Sequence, residues 1–284
     1  MKKKQLLVAG AGLLILVVFY FFGNTVPPLK KSDMAAGSQE PAKTLDIKAI
    51  LDASKSKLSS SQLAYVNRLE NSVVRGDVKN QQITSYRLLS EFWKDSVQNA
   101  FLPSVYYLSE AAKLENSEKS LTFAAQLFLS NLRGQDNLAL RTWMADQSRD
   151  LFERAEKLNP ANDSTIIGLG ATYIFGSSGQ NPTDVMKGIQ KVLEVARRDS
   201  LNLYAQLVLG LGGIESGQYD KAIPRLLIVA EHDPSNLEAI LSLGEAYERT
   251  GDNPAARKWY GIAKKQTNNP DLVAAIDERL ESLK

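Results

Sequence analysis

Apolar positions recur at the three- and four-residue spacing of helices from Leu45 to the C-terminus of this chain. One face of an α-helix repeats every 3.6 residues, whereas a half-buried strand alternates apolar and polar residues. No window shows sustained alternation with β-branched residues, so the pattern predicts an all-α fold without a sheet. The amphipathic segments that predict single helices are 60–75, 80–97, 103–114, 119–132, 138–158, 163–175 and 271–283.

Two later segments repeat each other at an offset of 34 residues: LYAQLVLG, residues 203–210, aligns with LEAILSLG, residues 237–244. The same offset pairs Gly217 with Gly251, Ala222 with Ala256 and Leu226 with Tyr260. This pattern resembles the tetratricopeptide repeat, a 34-residue helix–turn–helix. The resemblance implies a helix–turn–helix solenoid, in which stacked hairpins bury one continuous core.

The resemblance also implies packing roles for small and aromatic residues. In this family, small residues at positions 8 and 20 let the two helices of a hairpin approach closely, and an aromatic at position 24 fills the gap to the next hairpin. The residues at such positions here are Gly170, Gly188, Gly210, Ala222, Gly244, Ala256 and Tyr260.

The repeat pattern divides the chain into segments. An earlier repeat opens at Asp163 and carries six extra residues within 176–184. We expect repeats over 119–270 and a capping helix over 271–284, since a solenoid needs its last apolar face covered. The helices of residues 45–118 are expected to be degenerate repeats.

The same resemblance implies a concave binding groove, lined in this family by positions 2, 5, 9, 12 and 13 of each first helix. The Lys and Asn of the carboxylate clamp that binds chaperone tails are absent from positions 5 and 9. The candidate protein-binding groove is instead largely apolar: Ile167, Ile174, Tyr204, Leu207, Leu211, Ile214, Leu241 and Glu245. So long an apolar stripe requires a cover. Either a partner helix or extended segment covers it, or the N-terminal helices of the chain fold back onto it.

The first 44 residues differ from the rest in hydropathy. Leu6–Phe22 is continuously apolar and follows three lysines. With its uncharged flank it can cross a bilayer about 30 Å thick. No small-x-small site follows, which favours an uncleaved anchor over 1–23 rather than a cleaved signal peptide or a buried soluble helix. A flexible linker over 24–44 comes next, and the lysines predict a cytoplasmic N-terminus and a periplasmic body, in a single pass of the inner membrane.

Composition narrows the function classes. Hydrophobic residues make up 44% of the 284 residues and charged residues 23%, as in folded proteins. After Lys31 the chain holds 29 basic and 32 acidic residues, so this mildly acidic body argues against nucleic-acid binding. There is no cysteine, and the single histidine, His232, is expected to cap a helix rather than bind a metal.

Two motifs suggest chemistry. Gly210-Leu-Gly212 follows a helical segment and lacks the third glycine of a dinucleotide site, so no nucleotide, other cofactor or small-molecule substrate is expected. Glu215-Ser216-Gly217 resembles the acid-bearing motif of lytic transglycosylases, where a glutamate in an apolar pocket protonates a glycosidic bond. The downstream Gly-Leu-Met-Gln-type motif is absent, and Glu215 fits a solvated carboxylate at a helix end.

Taken together, the sequence resembles membrane-anchored tetratricopeptide proteins of bacterial envelopes, particularly of the Bacteroidetes type. It predicts a non-enzymatic scaffold that binds proteins at the cell envelope. One alternative is a periplasmic chaperone or assembly factor of secretion or cytochrome maturation. The other is a peptidoglycan-cleaving enzyme that uses Glu215.

Overall fold

The computed structural model describes residues 45–75, 78–98, 100–176 and 181–283, and it shows only helices and their connections there. The predicted all-α fold is thus confirmed for this part of the chain. The helices are α1 (Ile47–Lys55), α2 (Ser60–Arg75), α3 (Lys79–Ser96), α4 (Phe101–Glu115), α5 (Glu118–Ser130), α6 (Leu138–Leu158), α7 (Asp163–Gly176), α8 (Pro182–Arg198), α9 (Leu203–Glu215), α10 (Tyr219–His232), α11 (Leu237–Thr250), α12 (Asn253–Gln266) and α13 (Pro270–Ser282).

The predicted anchor over 1–23 and the linker over 24–44 lie outside the described residues. Among the residues that are described, no helix is both long enough and apolar enough to cross a bilayer. Part of the predicted insertion, residues 177–180, also lies outside the described ranges.

Consecutive helices pack as hairpins, and the hairpins stack in chain order. The pairs are α3–α4, α5–α6, α7–α8, α9–α10 and α11–α12. The second helix of each hairpin packs on the first helix of the next, and α13 packs on α12. The predicted helix–turn–helix solenoid is confirmed by this order. That α1–α4 are degenerate repeats stays a prediction.

Local sequence sets where the repeated helices begin. Asn202 and Asn236 lie 34 residues apart, and each side-chain oxygen accepts the backbone N–H of the residue three positions on, at 3.1 and 3.0 Å. Such N-caps satisfy a donor that the first helical turn leaves unpaired. Within the hairpins, Gly217 and Gly251 turn the chain with φ of 70° and 82°, values that glycine adopts without steric cost.

Small residues allow the two helices of a hairpin to touch. A Cβ added to Gly170 would lie 2.5 Å from Cγ2 of Val192 and 2.8 Å from the carbonyl oxygen of Gly188. A Cβ on Gly244 would lie 2.6 Å from the ring of Tyr260. These contacts lie between α7 and α8 and between α11 and α12. The two glycines therefore allow the close helix packing that the repeat pattern predicts at these positions. Ala222 and Ala256 are fully buried in α10 and α12.

Buried residues form two clusters that meet at α4. The smaller contains Val66, Leu89 and Trp93 from the N-terminal helices, together with Tyr107. The larger runs continuously from Val105 to Leu283. Because burial of apolar surface is the main favourable term in folding, this continuous core is what holds the later hairpins in one stack. The capping helix α13 contributes Ile276 to that core.

Candidate functional site: the concave face

The first helices of successive hairpins lie on the inner side of the stack. Contacts join α5 to α7, α7 to α9 and α9 to α11, whereas no comparable set joins successive second helices within the described residues. The stack therefore curves with α5, α7, α9 and α11 on its concave face. This is the face on which the candidate groove residues were predicted.

The structure divides the eight predicted groove residues into two sets. Ile167, Ile174, Leu211 and Ile214 are buried, with exposures of 1, 5, 3 and 8%. Tyr204, Leu207, Leu241 and Glu245 are half-buried. The first set packs within the chain and is inaccessible to a partner in this structure, so the chain itself covers this part of the predicted stripe. The second set remains at the surface.

Close packing between first helices accounts for part of this burial. A Cβ on Gly212 in α9 would lie 3.2 Å from Cγ2 of Ile174 in α7. Gly213 faces the other way, and its added Cβ would lie 3.0 Å from Cβ of Ala222 in α10. These two glycines let α9 pack tightly between its neighbours. Tyr204 also reaches across α7 to α5, where its hydroxyl donates to Oε1 of Gln126 at 3.2 Å.

Arg133, in the turn between α5 and α6, lies across the same face. Its Nε is 3.4 Å from Oε1 of Glu215 in α9, and its Nη1 pairs with Glu238 at the start of α11. Its guanidinium carbon is 5.4 Å from the ring centroid of Phe175 in α7. The chain therefore makes contacts across the middle of its own concave face through this turn. The two predicted coverings, a partner segment or the N-terminal helices, stay predictions.

Glu215 is held by two arginines and is not a freely solvated carboxylate. Arg133 pairs with one carboxylate oxygen, and Nη2 of Arg141 lies 4.0 Å from the other. Burial raises the pKa of Glu215, and the two guanidinium groups partly offset that rise. The same Arg141 nitrogen donates to the carbonyl oxygen of Phe175 at 2.6 Å. The pKa of Glu215 is thus raised overall, while both of its carboxylate oxygens face arginine nitrogens.

His232 lies in the last turn of α10, where its Nδ1 is 2.9 Å from the carbonyl oxygen of Ile228. This contact is the predicted capping role. In the described ranges, no group of three or more histidine and acidic residues is placed to hold a metal ion.

The sequence model of the tetratricopeptide repeat matches residues 214–277, which span α10, α11, α12, the last two residues of α9 and the first eight residues of α13. The chain contains tetratricopeptide repeats. This match indicates no enzyme family. No curated protein matches the sequence significantly.

Several solved structures of tetratricopeptide proteins are similar at low identity. MamA is 17% identical, with 66% of this chain and 92% of that chain covered and a TM-score of 0.43. YrrB, described as a TPR protein with an unusual peptide-binding site, is 15% identical over 76% and 99%, with a TM-score of 0.43. A repeat protein from Parabacteroides merdae ATCC 43184 is 14% identical over 79% and 87%, with a TM-score of 0.41.

Two surface recesses border the concave repeats. One, of about 480 Å³, lies beside Glu215 and is walled by Ile174, Met186, Ile189 and Gly212. The other, of about 270 Å³, lies between α11 and α13 and includes two of the predicted groove residues, Leu241 and Glu245. Its further lining residues are Ser242, Glu248, Arg249, Tyr260, Leu272, Ala275, Ile276 and Arg279.

In this second recess, one carboxylate is compensated and one is not. Glu248 accepts a hydrogen bond from the hydroxyl of Tyr260 at 2.8 Å and pairs with Arg279 at 3.2 Å. Burial, and to a smaller extent this hydrogen bond, raises the pKa of Tyr260. Within the described residues, no cation or hydrogen-bond donor is placed on the carboxylate of Glu245. Arg249 lines the same recess but is exposed and does not reach Glu245.

Sequence reasoning missed several polar residues of this face. Glu238 and Glu248 occupy groove positions 2 and 12 of the repeat that opens at Leu237, so the alignment could have found them. Arg133 carries no such signal, because its contacts lie 82 and 105 residues away along the chain.

Proposed function

We propose that this protein is a scaffold that binds a segment of a partner protein in the recess between α11 and α13. The segment carries an apolar side chain and, beside it, a lysine or arginine. The observation that carries the proposal is Glu245, a half-buried carboxylate to which no cation among the described residues is paired. It lies next to Leu241 in a recess that also contains Leu272 and Ile276.

The chemistry of the recess favours this occupant. Complete burial of a leucine-sized side chain contributes about 1.5–3 kcal/mol, so an apolar anchor on Leu241, Leu272 and Ile276 would supply most of the affinity. A cation on Glu245 adds less, about 0.2–1 kcal/mol for a partly exposed pair. Its main effect is selectivity, since an acidic residue at the same place would be repelled.

A peptide array tests this proposal on the full chain. Capped nonapeptides with a central leucine carry lysine, norleucine or glutamate at each flanking position in turn. We expect the lysine series to bind best and the glutamate series worst. Leu241→Asp should abolish binding of all three series, and Glu245→Gln should remove the preference for lysine over norleucine.

The matched control is Glu278→Gln, which makes the same carboxylate-to-amide change at an exposed position of α13 outside the recess. This variant should keep the lysine preference. Equal binding of the three series by the wild type, or an equal loss in both glutamine variants, would refute the proposal.

We further propose that residues 1–23 anchor the scaffold in the inner membrane and that the repeats face the periplasm. The support is the uncharged run Leu6–Phe22, preceded by three lysines. Alkaline phosphatase, which is active only outside the cytoplasm, and a cytoplasm-specific fluorescent reporter can each be fused after Lys284. Activity of the phosphatase fusion alone is expected, and activity of the fluorescent fusion alone would reverse the orientation.

A further inference from the structure

The turn between α5 and α6 is shaped to present Arg133 to the concave face. Backbone N–H groups of Asn131 and Leu132 donate to carbonyl oxygens of the preceding helix, both at 3.1 Å. Leu132 is fully buried and fixes the turn in the core. Gly134 follows with φ of 79°, which reverses the chain direction immediately after Arg133.

The contacts of Arg133 fall on groove positions of three successive repeats. Phe175 and Glu215 occupy position 13 of α7 and α9, and Glu238 occupies position 2 of α11. One side chain from the α5–α6 hairpin thus connects to the three hairpins that follow it. The contact crosses the concave face at the ends of α7 and α9, where Ile174 and Ile214, the residues that precede Phe175 and Glu215, are buried.

The ion pairs of Arg133 with Glu215 and Glu238 can be replaced at low cost by pairs with another cation. The side chains of Arg133, Glu215 and Glu238 are 31, 34 and 53% exposed. Ion pairs at such exposure change an equilibrium by about fivefold or less, because water solvates the separated charges well. The pair with Glu238 is the more exposed of the two, so it opens at the lower cost.

Glu238 does not line the recess, but it lies beside the proposed binding surface on α11. It lies one turn before Leu241 and two turns before Glu245 on the same helix, and residues spaced in this way share a face. A lysine or arginine of a segment bound along α11 therefore competes with Arg133 for the carboxylate of Glu238.

We propose that Arg133 is a latch that holds the concave face closed, and that a basic segment bound on α11 opens it by replacing Arg133 on Glu238. The second half of this inference rests on the proposed function, whereas the first half does not. Opening would loosen the part of the α5–α6 turn that follows Leu132 and expose the ends of α7 and α9, at Phe175 and Glu215, to the rest of the bound segment.

Distance measurements between spin labels test the latch without any partner. The chain has no cysteine, so Asp136→Cys and Glu231→Cys in the full chain give two unique labelling sites, one in the turn and one at the end of α10. Both positions are exposed. The wild-type background should give a narrow distance distribution, and Arg133→Ala should broaden it towards longer distances. Glu238→Gln should act in the same direction to a smaller extent, because the pair with Glu215 remains.

Arg198→Ala is the matched control. It removes an exposed arginine that pairs with Asp163 inside one hairpin and does not cross the concave face. Its distribution should equal that of the wild type. An unchanged distribution in Arg133→Ala, or an equal change in the control, overturns the latch.

The coupling is tested with the tightest-binding lysine nonapeptide of the array. It should lengthen the label distance in the wild type, and Arg133→Ala should bind it up to about fivefold more tightly, since the competing cation is gone. Binding with equal affinity and no change in distance overturns the coupling while the proposed function stands. Failure of both proteins to bind overturns the proposed function and the coupling, and the label distances alone then decide whether Arg133 is a latch.

Discussion

Gly210→Ala probes the close approach of α9 and α10. The added Cβ would lie 2.7 Å from both Cγ and Cδ2 of Leu226. Leu226 is fully buried, so its side chain cannot move into solvent to relieve the contact. Either α9 and α10 separate locally, or Leu226 takes a strained rotamer.

Two opposing effects set the magnitude. Alanine is favoured over glycine inside a helix by about 1 kcal/mol. Overpacking of a filled core costs about 1–3 kcal/mol. The net change for Gly210→Ala is therefore a destabilisation of about 0–2 kcal/mol.

Gly261→Ala in α12 is the reference that removes the helix-propensity effect. A Cβ at Gly261 meets no atom within 4 Å, so this change should stabilise the chain by about 1 kcal/mol. The difference between the two variants then isolates the overpacking cost of about 1–3 kcal/mol.

The assay is urea unfolding of the full chain, followed by the helical circular-dichroism signal. Leu226→Ala is measured alone and with Gly210→Ala. Alone it should cost about 2–5 kcal/mol. In its background Gly210→Ala should become neutral or stabilising, since the clashing atoms are gone. If Gly210→Ala stabilises the wild type as much as Gly261→Ala does, the packing argument for this glycine is wrong.

Three further changes have defined outcomes in the same assay. The pKa of Glu215 is raised in the folded state, so ionisation of this carboxyl opposes folding. Glu215→Gln should therefore be more stable than the wild type at neutral pH. The difference in stability should vanish below pH ~4, where Glu215 is protonated in both the folded and the unfolded state. An unchanged difference across that range would contradict this cause. Tyr107→Phe removes the hydroxyl that donates to Glu70 and should lower the free energy of unfolding by about 1–3 kcal/mol. An unchanged free energy of unfolding would mean that water replaces the lost donor. Gly251 has a φ of 82°, and a Cβ added there would meet no atom within 4 Å, so any cost of a side chain comes from backbone strain. Gly251→Ala should lower the free energy of unfolding by about 1–2 kcal/mol, and Gly251→Asn should lower it less. Equal stability of the wild type and both variants would exclude strain.

The repeat pattern could be predicted because it depends on interactions between residues that are close in sequence. The segments predicted as 60–75 and 138–158 are the helices Ser60–Arg75 and Leu138–Leu158. N-caps, turn glycines and apolar spacing each act within a few residues, so one sequence reveals them. The sequence did not delimit the first helix, α1, because its nine residues form only about two and a half turns, too few for a clear periodic pattern.

The state of the concave face could not be predicted in this way. Family positions identified which residues of α7, α9 and α11 face inward, but not how far each would be covered. That depends on the curvature of the stack and on Arg133, which meets Glu238 across 105 residues of chain. Long-range pairs of this kind leave no periodic trace in a single sequence.

Gly212 connects the local pattern to the global shape. A Cβ added there would lie 3.2 Å from Ile174 of α7, so the absent side chain lets α9 pack closely on α7. Contacts join the first helices of neighbouring repeats, and no comparable set joins the second helices within the described residues. Such a difference curves a solenoid towards its first helices. The same curvature buries Leu211 and Ile214 and brings Glu215 within reach of Arg133. The glycines of this segment therefore act through geometry, since they let α9 pack closely against α7 and α10.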